Sequence, residues 1–117
     1  MAGTTPMTYN KTSTVVFVET RQFSQLLKEY LTDDEYRELQ QHIMANPAAG
    51  SIIRESGGMR KIRWAQKGKG KSGGVRVIYY WVKNKDHIYM LNIYNKSEKD
   101  NIDKKTLLAI RKYLESL

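Results

Sequence analysis

The sequence contains no cysteine, only two prolines and two histidines, and no long hydrophobic run. The lack of cysteine excludes a disulfide scaffold, a cysteine-ligated zinc site and thiol catalysis. The longest apolar stretch, residues 75–82, contains Arg76 and is far shorter than the ~20 residues that a membrane-spanning helix needs. Residues 1–13 also lack the apolar core of a signal peptide. We therefore expect a cytoplasmic protein that does not associate with a membrane.

The overall composition is that of an ordinary globular protein. The chain has 117 residues, of which 40% are hydrophobic and 27% charged. This length is sufficient for one domain with its own hydrophobic core. We expect a single domain at residues 14–117, preceded by a flexible N-terminal arm at residues 1–13.

Positive charge is concentrated in one short segment of the chain. Residues 54–76 hold eight basic residues and one acidic residue, a net charge of +7, whereas residues 1–53 have a net charge of −2. Because like charges so close together repel one another, the segment is most easily explained if a polyanion neutralises it. Nucleic acid is the expected partner, since phosphate contacts use this kind of charge. The alternative is a solvated basic loop.

Three helices are predicted from apolar spacing and from capping residues. Apolar residues at helical spacing between positions 23 and 31 predict the first helix. Thr32 and Glu35 form a capping box for the second helix, and Asn46-Pro47 ends it. The third helix is predicted to begin near Asp103.

Segments rich in β-branched and aromatic residues predict four strands, at residues 14–18, 59–65, 75–82 and 87–95. The last three are expected to pair antiparallel through short connections. Gly57-Gly58 and Gly73-Gly74 precede two of these strands, and we expect both pairs to need unusual backbone angles. The sequence therefore predicts an α+β fold, a small antiparallel sheet packed by two N-terminal helices with a C-terminal helix.

Basic residues of the predicted strands are candidates for a shared site. Alternation along the first of the three antiparallel strands puts Lys61 and Arg63 on one face, while Ile62 points to the core. Arg76 begins the next strand, and Lys96 lies just beyond the last one. Four cations from three neighbouring strands then converge on one surface. The alternative is a set of ordinary exposed lysines and arginines.

A glycine-rich basic segment at residues 65–72 partly matches a phosphate-binding loop. A true loop of that kind is followed by a helix, whereas a strand is predicted here, so nucleotide hydrolysis is not expected. Lys67, Lys69 and Lys71 can instead follow a phosphate backbone without reading its sequence. A mobile, solvated turn is the alternative interpretation.

The sequence gives little indication of a metal site or of nucleophilic catalysis. Neither His42 nor His87 has a companion at metal-ligand spacing, and no Ser-His-Asp set is suggested. The acidic residues between positions 33 and 38 lie at a predicted helix start, where the helix dipole explains them. We expect neither a metal ion nor a cofactor.

Five segments of the chain resemble HigB-type toxins, which belong to the RelE/ParE superfamily of bacterial toxin–antitoxin systems. They are DDEYRELQQ at 33–41, NPAAG at 46–50, GGMRKIRWA at 57–65, KGKGKSGGVRVIYY at 67–80 and YNKSEKD at 94–100. The resemblance extends from about Val15 to the C-terminal helix. It implies a compact α+β fold, ribosome-dependent cleavage of mRNA in the decoding site, and neutralisation by a HigA-like helix-turn-helix antitoxin.

The resemblance also nominates residues for the reaction. The match to the basic strands of RelE-like toxins makes Lys61, Arg63 and Arg76 expected active-site cations, and Lys96 stands where many relatives carry an arginine. Many RelE-like toxins have a catalytic tyrosine a few residues later, but residues 100–102 contain none. The expected contacts to RNA or the ribosome come from Arg60, Lys67, Lys69, Lys71, Tyr80 and Tyr94.

The expected activity is a metal-independent endoribonuclease reaction. Arginines hold the phosphate, because a guanidinium stays charged and presents a fork of donors, while Lys61 or Lys96 acts as base or acid. Two alternatives remain open. One is a non-catalytic binder of the same superfamily, either a gyrase-directed toxin or an inactive homologue, and the other is a generic basic RNA-binding domain.

Overall fold

The computed structural model of the protein describes residues 15–66, 70–96 and 101–117, and for residues 66 and 70–73 it describes only the backbone. The predicted arm at 1–13 and the side chains of Lys67 and Lys69 lie outside this part of the chain. The described residues form β1 (Val16–Glu19), α1 (Arg21–Tyr30), α2 (Asp33–Ala45), β2 (Ser51–Ile52), β3 (Arg60–Gln66), β4 (Gly70–Val82), a short 3-10 turn (Lys83–Lys85), β5 (His87–Asn95) and α3 (Lys104–Glu115).

Local capping residues determine where the helices begin. The predicted capping box is present at α2, where the Glu35 amide donates to Thr32 Oγ1 at 3.1 Å and the Thr32 amide donates to the Glu35 carboxylate at 2.7 Å. Asn46 is the C-cap, as expected. The Asp103 carboxylate accepts from the Thr106 amide at 2.7 Å and so fixes the start of α3. These side chains satisfy amides that the first helical turn leaves unpaired.

The five strands form one sheet in the order β1-β5-β4-β3-β2. The antiparallel pairing of β3, β4 and β5 is confirmed. The predicted α+β fold is confirmed, and the sheet is mixed, because the additional strand β1 pairs parallel to β5. A short connection forces neighbouring strands to run antiparallel, but β1 is separated from β5 by most of the chain, so no turn determines its direction.

Two strands differ from the sequence prediction. β4 begins at Gly70 rather than at residue 75, so that the backbone of Lys71 belongs to a strand and not to a loop. This extension pairs Gly70 with Gln66 of β3, which periodicity alone does not reveal. The two-residue strand β2 was not predicted, since a segment of that length carries no periodic signal.

Each face of the sheet is covered by different helices. On one face, α1 and α2 pack on residues such as Phe17, Val77 and Met90. On the other face, α3 contributes Leu107 to a smaller cluster with Met59, Ile78, Leu91 and Tyr94. The second face is therefore covered by α3 over the part that carries this cluster.

The two glycine pairs have different structural reasons. Gly57 and Gly58 have φ values of 80° and 108°, a region that favours glycine, as predicted. The same expectation is wrong for Gly74, which is not among the residues with positive φ. A Cβ atom there would lie 2.6 Å from the carbonyl oxygen of Trp64. Gly74 is thus required because β3 and β4 approach closely at this point.

Candidate active site

The register of the sheet brings two arginines face to face. Arg63 of β3 lies directly opposite Arg76 of β4, and Arg76 in turn lies opposite Tyr94 of β5. Side chains of directly opposed residues start from Cβ atoms about 5 Å apart, and like charges in such a pair destabilise a sheet. An arrangement that costs stability in the free protein is favoured when an anion binds between the two guanidinium groups.

Arg63, Arg76 and Tyr94 form a row across the sheet, and Arg76 is the most unusual residue of this row. It is only 4% exposed, and its Nη1 donates one long hydrogen bond of 3.4 Å to the carbonyl oxygen of Val75. Among the described residues, no carboxylate lies within ion-pair distance of it. Buried charges are normally paired, because removing a charge from water is costly. A buried guanidinium in this condition is well suited to an anionic ligand.

Tyr94 closes the row on the side of β5. Its side chain is buried, and burial raises the pKa of its hydroxyl above the ordinary value, although the charge of Arg76 and a backbone hydrogen bond at Ile102 act in the opposite direction. The phenol is therefore neutral at neutral pH and does not itself neutralise the charge of Arg76. The Tyr94 ring is buried, so it does not present a surface on which an RNA base could stack. In this structure the residue lies beside Arg76.

Lys61 lies two residues before Arg63 on the same face of β3. Its Nζ donates a 2.9 Å hydrogen bond to Oδ1 of Asn101, in the segment that leads into α3. The sequence did not indicate a role for Asn101, because the contact joins residues 40 positions apart. No local pattern predicts a contact of that kind. The geometry thus adds a polar side chain from a second element to the basic row.

Lys96 stands at the opposite end of the row. Its amide donates to the carbonyl oxygen of Gly74 at 3.5 Å, which keeps the chain beside β4 just after β5 ends. The side chains of Lys96 and Arg63 are exposed, and neither forms a hydrogen bond or ion pair within the described ranges. Lys61, Arg63, Arg76 and Lys96 therefore lie on or beside three neighbouring strands, within about 13 Å measured along the strands.

Two other predicted residues lie away from this row. Arg60 points to the opposite face, where its Nη1 donates to the carbonyl oxygens of Ala48 at 3.2 Å and Gly50 at 2.8 Å. It therefore fixes the loop between α2 and β2. Tyr80 follows Arg76 by four residues, about 13 Å along β4, and packs beside α3. The side chains of Lys67, Lys69 and Lys71 lie outside the described part of the chain.

The chemistry of the site is that of fixed positive charge. Guanidinium and ammonium groups form short, charge-assisted hydrogen bonds to phosphate oxygens. In the part of the chain that the structure describes, no group of three or more histidine, aspartate or glutamate residues could hold a metal ion. No described helix has the length and apolar character needed to cross a membrane.

Comparison with known protein families identifies a family to which the chain is similar. The model of a family described as "RelE toxin of RelE / RelB toxin-antitoxin system" matches residues 14–117. The matched range contains the described strands and helices, and it includes all four cations of the candidate site.

Proposed function

The chain belongs to the RelE toxin family, and on that premise we propose that it is a HigB-type endoribonuclease that cleaves mRNA on the ribosome. Membership of the family makes the protein the toxin of a toxin–antitoxin system, with an antitoxin as its partner. RelE toxins are typically endoribonucleases. The proposal adds the metal-independent reaction, the decoding site as its location and a HigA-like helix-turn-helix antitoxin.

The observation that carries the proposal is the buried guanidinium of Arg76 opposite Arg63. RNA cleavage passes through a pentacoordinate phosphorane, which carries more negative charge on its oxygens than the phosphodiester does. Donors aimed at charge that develops in the transition state are the largest single contribution in many enzymes. Arg63 and Arg76 supply such donors, and the neutral Tyr94 hydroxyl does not compete for them.

The remaining steps are proton transfers. The 2′-oxygen attacks phosphorus while a base removes its proton, the bond from phosphorus to the 5′-oxygen breaks, and an acid protonates that oxygen. The products are a 2′,3′-cyclic phosphate and a 5′-hydroxyl. Lys61 and Lys96 flank the arginines on either side, so we assign the base and the acid to this pair.

The openness of the site supports the proposed dependence on the ribosome. Arg63 and Lys96 are exposed and Lys61 is half-buried, and nothing among the described residues aligns a substrate for in-line attack. Correct orientation of the reacting groups contributes much of the rate in such reactions. The decoding site supplies it by holding the mRNA, which also places the action of the toxin in the cytoplasm.

Primer extension on mRNA after brief induction of the toxin tests the proposal. New 5′ ends within translated codons are expected, while purified mRNA without ribosomes stays intact. Arg63→Ala and Arg76→Ala should each abolish the cuts and the growth inhibition. Arg37→Ala, an exposed arginine on α2 paired with Asp34, is the matched control and should cleave normally.

The alternatives give different results in the same experiment. A gyrase-directed toxin leaves the mRNA intact and produces cleaved DNA complexes. A generic RNA-binding domain binds RNA in a salt-dependent way without ribosomes and does not inhibit growth. Either outcome would overturn the proposed activity.

A further inference from the structure

We propose that Asn101 is a positioning residue that holds the Lys61 ammonium beside Arg63 and Arg76 without neutralising it. The inference rests on the proposed ribonuclease function, which it extends to a residue outside the strands. Three features of the structure support it: the contact itself, the rigid attachment of Asn101, and the chemistry of an amide.

The contact uses one of the three donors of the ammonium group. Lys61 Nζ donates to Asn101 Oδ1 at 2.9 Å, and it makes no other hydrogen bond or ion pair within the described residues. Because an ammonium is only a donor, the atom of the amide that faces it is the oxygen. Two N–H groups of Lys61 thus remain available for phosphate oxygens.

Asn101 is attached to a well-fixed part of the fold. The next residue, Ile102, packs against the cluster formed by Met59, Ile78, Leu91, Tyr94 and Leu107. The residue after that, Asp103, caps α3 through the Thr106 amide. Since Asp103 performs the capping, α3 does not need Asn101 for its stability. The Asn101 side chain can therefore bind the lysine. Without such a contact the long, flexible lysine side chain samples many conformations.

A neutral acceptor is the appropriate partner for a cation that must bind phosphate. A carboxylate at position 101 would also orient the ammonium, but it would cancel its charge and repel the phosphate. The amide orients Lys61 and adds no negative charge to a row that contains Arg63, Arg76 and Lys96. This difference between amide and carboxylate distinguishes a positioning role from simple surface packing.

Single-turnover cleavage of mRNA on programmed ribosomes, with the toxin in excess, tests the inference. Asn101→Ala should lower the maximal cleavage rate about 10-fold with little change in the toxin concentration at half-maximal rate, because a catalytic group displaced by about 1 Å loses that much or more. Asn101→Asp should lower the rate further. Asn84→Ala, an exposed asparagine in the turn before β5, is the control and should match the wild type.

A double-mutant cycle separates positioning from a structural role. In a Lys61→Ala background, Asn101→Ala should cause no additional loss, since the ammonium group that it positions is absent. The thermal midpoint of Asn101→Ala should equal that of the wild type. An equal loss in both backgrounds, or a rate for Asn101→Asp as high as that of the wild type, would overturn the inference.

The failure of the inference and that of the proposed function give different results. If wild-type protein cleaves and Asn101→Ala cleaves equally fast, the positioning role is wrong while the ribonuclease activity stands. If the wild type leaves ribosome-bound mRNA intact, the proposed function is wrong and the role of Asn101 fails with it.

Discussion

Glu19 and Arg76 are both charged and almost fully buried, with exposures of 6% and 4%, but their hydrogen bonds differ. The Glu19 carboxylate, on the face covered by α1 and α2, accepts from Ser24 Oγ at 2.6 Å and from Tyr36 Oη at 2.7 Å. Within the described residues, Arg76, on the face of α3, makes one long hydrogen bond, to the carbonyl oxygen of Val75.

Under the proposed function, Glu19 is a structural charge and Arg76 a functional one. The hydroxyls of Ser24 and Tyr36 satisfy the Glu19 carboxylate within the fold. These hydrogen bonds connect β1 to α1 and α2, and the carboxylate needs no external ligand. Arg76 lies opposite another cation, and no carboxylate among the described residues pairs with it, so its burial is costly unless an anion neutralises the charge. The comparison predicts that Glu19 acts on stability and Arg76 on the reaction.

The largest expected effect comes from removing the guanidinium of Arg76. Arg76→Met should reduce cleavage of ribosome-bound mRNA about 100- to 1,000-fold, the usual loss for a donor aimed at the transition state. The free energy of unfolding should stay equal or rise, because an apolar chain replaces a buried charge that no carboxylate among the described residues pairs with. Single-turnover cleavage and urea unfolding measure the two. A loss of several kcal/mol in stability would contradict the comparison.

Removing the carboxylate of Glu19 should have the reverse pattern. Glu19→Leu leaves the Ser24 and Tyr36 hydroxyls without their acceptor in the interior, which should lower the free energy of unfolding by about 3 kcal/mol. The cleavage rate per folded molecule should stay unchanged. Urea unfolding tests the first expectation, with Glu19→Gln as a control that keeps an acceptor. Normal stability of Glu19→Leu would show that the carboxylate is not a structural group.

An anion should stabilise the protein through Arg76. At a phosphate concentration ten times its dissociation constant, the folded state should gain about 1.4 kcal/mol by mass action. Thermal unfolding with and without inorganic phosphate measures this gain. Arg76→Met should lose it, whereas Glu19→Gln should retain it. Equal stabilisation of wild type and Arg76→Met would place anion binding elsewhere.

The smallest effect concerns Tyr94 at alkaline pH. Burial raises the pKa of its hydroxyl, so the neutral phenol stabilises the fold below its unfolded pKa of ~10, and that contribution is lost as the pH rises through the folded value. The stability of the wild type should therefore fall above pH ~10, and that of Tyr94→Phe should fall less steeply. Burial also raises the pKa of Tyr79, so part of the decrease in stability with pH remains in Tyr94→Phe. Parallel curves from urea unfolding at pH 8 to 11 would contradict this assignment.

The regular elements were largely predictable because their signals are local. The capping box of Thr32 and Glu35 and the cap at Asp103 join residues three positions apart, so the sequence contains both partners side by side. Alternation placed Lys61 and Arg63 on one face of β3 for the same reason. The direction of β1 was not predictable, since its partner lies some 70 residues away and no turn connects them.

The candidate site was predictable as a set of residue types and only partly as a geometry. Alternation and resemblance nominated Lys61, Arg63, Arg76 and Lys96, and in the structure they lie on or beside the neighbouring strands β3, β4 and β5. Neither alternation nor resemblance predicts that Arg60 donates hydrogen bonds to the carbonyl oxygens of Ala48 and Gly50. Its neighbours in sequence are equally basic, and only the position of the loop after α2 distinguishes it.

The sequence by itself determined the helices, the alternation of the strands and the concentration of positive charge, because each depends on residues a few positions apart. Tertiary structure decided which cations meet and how deeply each is buried. The register set Arg63 against Arg76, the folding of α3 over the sheet brought Asn101 to Lys61, and packing removed Arg76 from water. Such contacts depend on strand pairing and on the docking of distant elements, and no short segment of the chain specifies them.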